Sequence, residues 1–264
     1  FMNSTRNWLD NTKIRMSVGS LGNGNVAEYL YLSTMGISKS SAIIGEGLQS
    51  YTTAPGNIPE SLTWETSTTY DIGADLDFLG NRLGVVFDYY QRHTTDMYTV
   101  GPTKPAVFGA DIPKGNNANL KTKGWEVSVQ WRDNFKLAGK EFNYSVKGML
   151  WDSRTWITKY NNPNKLLSTH YEGKEVGEIW GYVIEGLFKD QADIDGHADQ
   201  SFIKVSDTNI LKPGDLKFKD LDGNEVINDG ENTVDNPGDR KIIGNTSTRY
   251  SYGVNLSANW NGIG

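Results

Sequence analysis

The 264-residue chain contains no cysteine, which excludes a disulfide framework and any thiolate nucleophile or metal ligand. No apolar run reaches the roughly eighteen residues that a spanning helix needs. Phe1 to Gly19 shows no charged-then-apolar leader, so a signal peptide is not expected within the chain. Positive charge is also scarce: 26 Lys and Arg face 32 Asp and Glu, for a formal net charge of −6. Phosphate binding needs clustered Lys and Arg, so nucleic acid is not expected as a partner. There is no G-x-S-x-G elbow and no phosphate loop. The histidines His93, His170 and His197 lie far apart and outside any zinc spacing, as surface histidines do.

Aromatic residues, by contrast, are abundant. Eight Trp, thirteen Tyr and nine Phe are many for a chain of negative mean hydropathy. Such residues serve either a packed core or a membrane interface.

The strongest positive signal is strict period-two alternation, which gives a strand two different faces. Tyr70, Ile72, Ala74, Leu76 and Phe78 alternate with Asp71, Gly73, Asp75 and Asp77. Beyond a turn at 79–81, Leu83, Val85, Phe87 and Tyr89 continue the apolar face, which predicts a hairpin. Trp125, Val127, Val129 and Trp131 alternate with polar residues, as do Phe142, Tyr144, Val146 and Leu150 after a turn near 133–140. The pattern appears again in Ile14, Met16 and Val18, and in Tyr250, Tyr252, Val254, Leu256, Ala258 and Trp260. The regular alternation accounts for Asp71, Asp75, Asp77 and Asp88 as polar-face residues rather than a glycosidase pair.

The connections alternate between tight turns and long excursions of about 20–63, 99–121 and 159–245. In an antiparallel meander all three long excursions leave by one rim, the asymmetry of outer-membrane barrels. Several runs reach about ten residues, enough for a tilted strand to cross a bilayer. Aromatics fall near strand ends, at Tyr70 and Phe78, Tyr89 and Tyr98, Trp125 and Trp131, Tyr250 and Trp260, as interfacial girdles do. A soluble β-sandwich shows the same alternation but packs its apolar face against a second sheet. The expectation is therefore an all-β, antiparallel transmembrane barrel fragment with long extracellular loops.

A series of motifs, in order along nearly the whole chain, resembles the C-terminal region of the SusC/RagA family of TonB-linked outer membrane proteins. They are Lys13-Ile14-Arg15-Met16-Ser17-Val18-Gly19 with Gly22-Asn23-Gly24-Asn25, and Leu62-Thr63-Trp64-Glu65 leading into Asp71-Ile72-Gly73-Ala74-Asp75. Asn81-Arg82-Leu83 to Asp88-Tyr89-Tyr90-Gln91-Arg92 and Lys123-Gly124-Trp125-Glu126 follow, with Thr122 where the family favours asparagine. Gly177 to Phe188, Pro213-Gly214-Asp215 and Ile242-Ile243-Gly244-Asn245 complete the series. The resemblance implies part of a barrel of about 22 strands, with the plug domain and signal peptide not present in residues 1–264. Six strands cannot close such a barrel, and open edges in lipid would strand backbone groups, so the piece alone is not expected to function.

The resemblance further implies TonB-dependent import of oligosaccharides or peptides, with a SusD/RagB-like surface lipoprotein as partner and outer membrane lipid around the barrel. TonB would act through an N-terminal part. No covalent chemistry is expected, and no enzyme. Two alternatives stay open: a soluble carbohydrate-binding β-domain, and a passive porin-like channel.

One loop carries metal-ligand spacing. Asp220, Asp222, Asn224, the Val226 carbonyl, Asn228 and Glu231 occupy the places of a calcium loop. The sixth place, normally glycine, is Glu225, which must take a costlier backbone geometry. Asp239 competes with Glu231 for the last ligand place, and two readings stay open: a Ca2+ site and a solvated acidic loop. Trp151, Trp156, Trp180 and Tyr182 are candidates for sugar stacking, against simple loop packing. No residue is assigned to substrate contact.

Overall fold

The computed structural model describes residues 8–24, 32–45, 47–58, 62–102, 104–109, 111–203 and 210–264. The strands run β1 (Leu9–Asn23), β2 (Ile37–Ile44), β3 (Gly47–Thr52), β4 (Glu65–Phe78), β5 (Leu83–Val100), β6 (Lys114–Leu137) and β7 (Lys140–Lys159). Then come β8 (Glu178–Tyr182), β9 (Ile184–Leu187), helix α1 (Gln191–Asp195), β10 (Leu216–Phe218), β11 (Arg240–Asn245) and β12 (Ser251–Trp260). The chain forms two compact units, residues Asn162–Arg249 being one and the remainder the other.

The larger unit is built on one six-stranded antiparallel sheet ordered β1-β4-β5-β6-β7-β12, so sequence neighbours pair throughout. The six alternating segments of the sequence are these six strands. Register carries each apolar set straight across: Leu76 pairs with Val85, Val85 with Val129, Val129 with Gly148, and Gly148 with Val254. A slip of one residue anywhere would turn an apolar row to the polar side. Ala138 and Gly139 connect β6 to β7 with φ of +50° and +79°, the two positive angles of a type I′ hairpin turn. The β4–β5 connection is the short turn at 79–82.

The long connections 24–64, 101–113 and 160–250 therefore all leave from the rim opposite these turns. The first carries the β2–β3 hairpin. The second is shorter than the sequence suggests, because β6 begins at Lys114 rather than near 121. β5, β6 and β7 hold 18, 24 and 20 residues, about twice what a bilayer requires. Beyond the membrane both faces of a strand meet water, so Lys114 to Lys121 has no apolar alternation to reveal it.

The apolar face has no second layer among the described residues. Ile72, Phe87, Val129 and Val146, on interior strands, are 42–45% exposed. Buried apolar side chains of this unit, Ala118 and Ile157, lie in the extensions outside the apolar band. A β-sandwich would bury this face against a second sheet. Tyr70, Tyr89, Trp125 and Tyr252 mark one border of the band; Phe78 stacked on Trp8 at 5.9 Å, Trp131, Tyr144, Phe142 and Trp260 mark the other. Tyr98 sits beyond the band, paired with Asn116.

The smaller unit has its own core of Leu167, Tyr171, Phe188 and Ile227. β8 pairs with β11 and β9 with β10. Buried Gln200 ties the segments together, donating to the Leu216 carbonyl and accepting from the Phe218 amide. An excursion with a packed core is thus a folded insert.

Candidate functional site

The polar face of the sheet is organised around Arg15. Its guanidinium lies 2.9 Å from Asp75 and 2.9 Å from Asp88, joining three strands. Gly73, the residue directly across from Arg15, makes the bridge possible. A Cβ there would stand 2.1 Å from Asp88 Oδ1 and 2.9 Å from Arg15 Nη2. Glycine in this strand is required by close approach of side chains, whatever its intrinsic cost. Nearby, Arg132 reaches Asp77 at 3.9 Å, and the Ser145 and Ser257 hydroxyls are 2.7 Å apart. Gly124 plays a second spacing role, since a Cβ on it would meet the Tyr90 ring at 2.4 Å. Toward the short-turn rim a polar recess of about 770 Å³ is lined by Arg82, Arg132, Asn134, Asn143 and Asn259 among others. This is a polar, charge-rich surface backed by an apolar one.

In the insert, one carboxylate oxygen each of Asp220, Asp222 and Asp239 lies within 4.8 Å of the others. Asp220 accepts from the amides of Gly223 (2.6 Å) and Glu225 (2.9 Å), and the Glu225 bond in particular holds its carboxyl below the usual carboxylate range. Asp222 accepts from the Asn224 amide, and Asn224 from the Val226 amide, so the loop coils through consecutive Asx turns. The Val226 carbonyl accepts from the Asn228 side chain, and Asn228 in turn caps Gly230. Glu225 takes φ of +63°, the strained geometry expected where glycine is missing.

The structure brings Asp239, not Glu231, to Asp220 and Asp222; Glu231 is exposed. Asp239 is fully buried and accepts from the amides of Leu221 (2.7 Å) and Asn228 (2.9 Å). It thereby stitches the two ends of the acidic loop. Nothing in its local spacing separates it from other loop aspartates; only its place before Arg240 and the Ile242-Ile243-Gly244-Asn245 segment hints at the role.

Trp180 and Tyr182, two of the four aromatic candidates, are occupied structurally. Trp180 Nε1 donates to Glu178 at 2.9 Å, and Tyr171 also donates to Glu178. Tyr182 donates to Asp229 at 2.5 Å, packs on Phe218 at 5.5 Å, and Asp229 is ion-paired to Arg240 at 3.1 Å. Burial, reinforced by these carboxylates, pushes the Tyr171 and Tyr182 hydroxyls well above the ordinary tyrosine range. Trp156 pairs across to Lys121 on the apolar side of its strand, while Trp151 is on the polar side. His197 rests on Phe188 and faces the Phe218 carbonyl at 2.8 Å, a packing role.

A sheet with an uncovered apolar face, aromatic borders, a charged opposite face and one-sided long loops defines a transmembrane β-barrel segment. The sequence profile described as "TonB dependent receptor-like, beta-barrel" matches residues 7–261, and the chain belongs to that family. It is 28% identical to TonB-dependent receptor SusC of Bacteroides thetaiotaomicron over 97% of this chain and 25% of that protein. It is 27% identical to TonB-dependent receptor P3 of Formosa agariphila over 94% of this chain and 24% of that protein. Among solved structures it is similar to the RagAB peptide transporter, with TM-score 0.62, 19% identity, and coverage of 96% of this chain and 25% of that one. The RagAB peptide importer in its open-open state gives TM-score 0.65 at 18% identity, covering 98% and 26%. The chain thus spans about a quarter of the length of the relatives it matches. Proteins of this family are outer-membrane β-barrels, so the apolar face is the lipid-facing one and the polar face looks into the lumen.

Proposed function

We propose that the chain is the C-terminal part of a TonB-dependent importer that carries oligosaccharides or peptides across the outer membrane with a SusD-like lipoprotein. The observation that carries this reading is the sheet itself: apolar and uncovered on one side, ion-paired through Arg15, Asp75 and Asp88 on the other, with a folded insert in its longest rim connection. Transport requires no bond to be broken, and the polar face offers charge and hydrogen bonding rather than an acid–base pair. A passive channel needs no energy coupling. The discriminating experiment deletes the gene for the full-length protein and, separately, TonB, then measures uptake of labelled oligosaccharide and peptide pools. Loss of one pool in both strains supports the importer; uptake indifferent to TonB supports the channel. Co-purification of a lipoprotein with the tagged receptor tests the partner.

The acidic loop is proposed as a Ca2+ seat. The gathered carboxylates of Asp220, Asp222 and Asp239 suit a hard divalent cation, and the loop oxygens of Asn224, Val226 and Asn228, or Glu231, would supply the remaining ligands. Calorimetric titration of the full-length receptor with CaCl2 tests this. Binding weakened by Asp239→Asn but not by Glu231→Gln would assign the last ligand, and no heat at millimolar Ca2+ would remove the site.

A further inference from the structure

The polar face carries two large aromatic rings, Tyr90 and Trp151, at the depth of the aromatic border on the long-loop side. Register sets Asp71, Tyr90, Gly124 and Ser153 in one row, and Gly73, Asp88, Glu126 and Trp151 in another. Between them runs the apolar-side row of Ile72, Tyr89, Trp125 and Asp152, so both outer rows point to the polar side. Tyr89 and Trp125 belong to the border itself, and the long-loop rim is the extracellular one. The two rings therefore stand where the lumen opens to the outside.

Trp151 is 41% exposed although its strand is an interior one, with β6 on one side and β12 on the other. Its ring meets water rather than lipid, leaving apolar surface that a ligand can bury. The Tyr90 ring lies over Gly124: a Cβ on that glycine would overlap the Tyr90 Cζ and hydroxyl, and Gly124 is itself buried. Arg92, exposed, holds its guanidinium 6.0 Å from the Tyr90 centroid and donates to the Thr69 hydroxyl at 3.2 Å. Asp71 and Glu126 lie directly across from Tyr90 and Trp151 respectively. Asp88 and Asp75 already share Arg15, so the wall around the rings is net negative.

We propose that Tyr90 and Trp151 form a stacking platform for a neutral oligosaccharide entering the barrel, a reading that deepens the import proposal and rests on it. The face of a sugar ring presents C–H hydrogens of slight positive charge, which suit the negative π faces of Tyr and Trp. Asp71 and Glu126 accept from sugar hydroxyls, and Arg92 donates to sugar oxygens while steadying Tyr90. The backbone positions of the two aromatics are about 12 Å apart, from strands about 4.8 Å apart and a rise of about 3.4 Å per residue. The Tyr90 ring closes part of that gap by reaching over Gly124, so consecutive units of one glycan can rest on the two rings. An anionic sugar is disfavoured by the carboxylates. An extended peptide would seek a free strand edge, and these interior strands are paired on both sides.

The test uses cells carrying the full-length receptor, with surface receptor quantified, and three end-labelled probes: a neutral oligosaccharide pool, a uronate-containing oligosaccharide pool and a tryptic peptide pool. The wild-type receptor should take up the neutral pool in preference to the other two. Trp151→Ala should raise the half-saturating concentration about tenfold, what one stacked aromatic contributes, with maximal uptake per receptor unchanged. Gly124→Ala, whose methyl displaces the Tyr90 ring, should raise it as well, and Trp151→Phe should restore most of the wild-type value. Trp156→Ala, on the apolar side of the same strand, should leave it as it is. An unchanged half-saturating concentration in both Trp151→Ala and Gly124→Ala would overturn the platform. Preference for the uronate or the peptide pool would overturn the substrate class. Entry of a large antibiotic through Trp151→Ala cells, with half-saturation unchanged, would make Trp151 a packing contact of whatever closes the lumen instead. A wild-type receptor that takes up none of the pools, or does so without TonB, defeats the import reading and the platform with it, whereas failure of the platform alone leaves TonB-dependent uptake in place.

Discussion

Val254 and Asn255 are consecutive residues at one depth of β12 and face opposite ways, which makes them a matched pair for measuring the surroundings of each face. Val254 is 69% exposed and lies opposite Gly148 in the row that continues to Val129 and Val85, midway between the aromatic borders. Protein contacts therefore contribute little to its environment, and an arginine there meets hydrocarbon. Arginine on the lipid face near mid-bilayer costs about 2–4 kcal/mol. At about 1.4 kcal/mol per decade, Val254→Arg should shift the folding equilibrium by about 30- to 700-fold. Asn255 is opposite Lys147 on the polar side, and Asn255→Arg should cost under about 1 kcal/mol. The assay is reversible guanidinium unfolding of the full-length receptor refolded into phospholipid vesicles, followed by tryptophan fluorescence. Equal penalties at the two positions, or a larger one at Asn255, would refute the assignment of faces.

Gly73→Ala should destabilise the barrel by about 1–3 kcal/mol in the same assay, because its methyl displaces the Arg15–Asp88 contact; Asp88→Ala should absorb much of that penalty in a double-mutant cycle. Asp239→Asn leaves a buried amide facing a backbone donor and should cost about 1–3 kcal/mol, read as accelerated hydrogen exchange across 216–245 with exchange in β4–β7 unchanged. Asp220 has a folded-state affinity for protons below that of the unfolded chain, chiefly through the Glu225 amide, so its contribution is present above about pH 4 and lost as pH falls through the lower folded value. Exchange protection of 220–226 should accordingly fade below about pH 4, and Asp220→Asn should remove that acid dependence. Tyr171 and Tyr182 have raised values, so ultraviolet titration should find them still protonated at about pH 11, where exposed tyrosines have ionised.

The sheet was legible because lipid on one side and water on the other impose a two-residue period that survives in single residues such as Val85, Ser128, Val129 and Gln130. Where the two sides have the same surroundings the period vanishes: Lys114 to Lys121 reads as loop, and Asp152 to Lys159 carries no clear alternation, although both are strand. The turn expected at 133–140 contracts to Ala138-Gly139, because Asp133 and Phe135 continue the alternation through residues whose polarity hides it. The insert was not legible as a folded unit. β8 to β11 are three to six residues long, too short for a periodic signal, and the partners of Phe188 and Ile227 are distant in sequence. The acidic loop was visible from the spacing of Asp220, Asp222, Asn224 and Asn228 alone, whereas Asp239 joins it only by tertiary closure.

β7 and β12 are hydrogen-bonded neighbours, with Trp151 opposite Ser251, so the chain leaves the sheet and re-enters it at adjoining positions. The intervening 160–250 segment, which has its own core, is one contiguous block of sequence between two paired strands. None of β8 to β11 pairs with the six strands of the large sheet, so the pairing of those six does not run through it. A lineage can therefore remodel what the outer surface of such a receptor meets by altering one contiguous block of coding sequence, while the wall beneath is inherited intact.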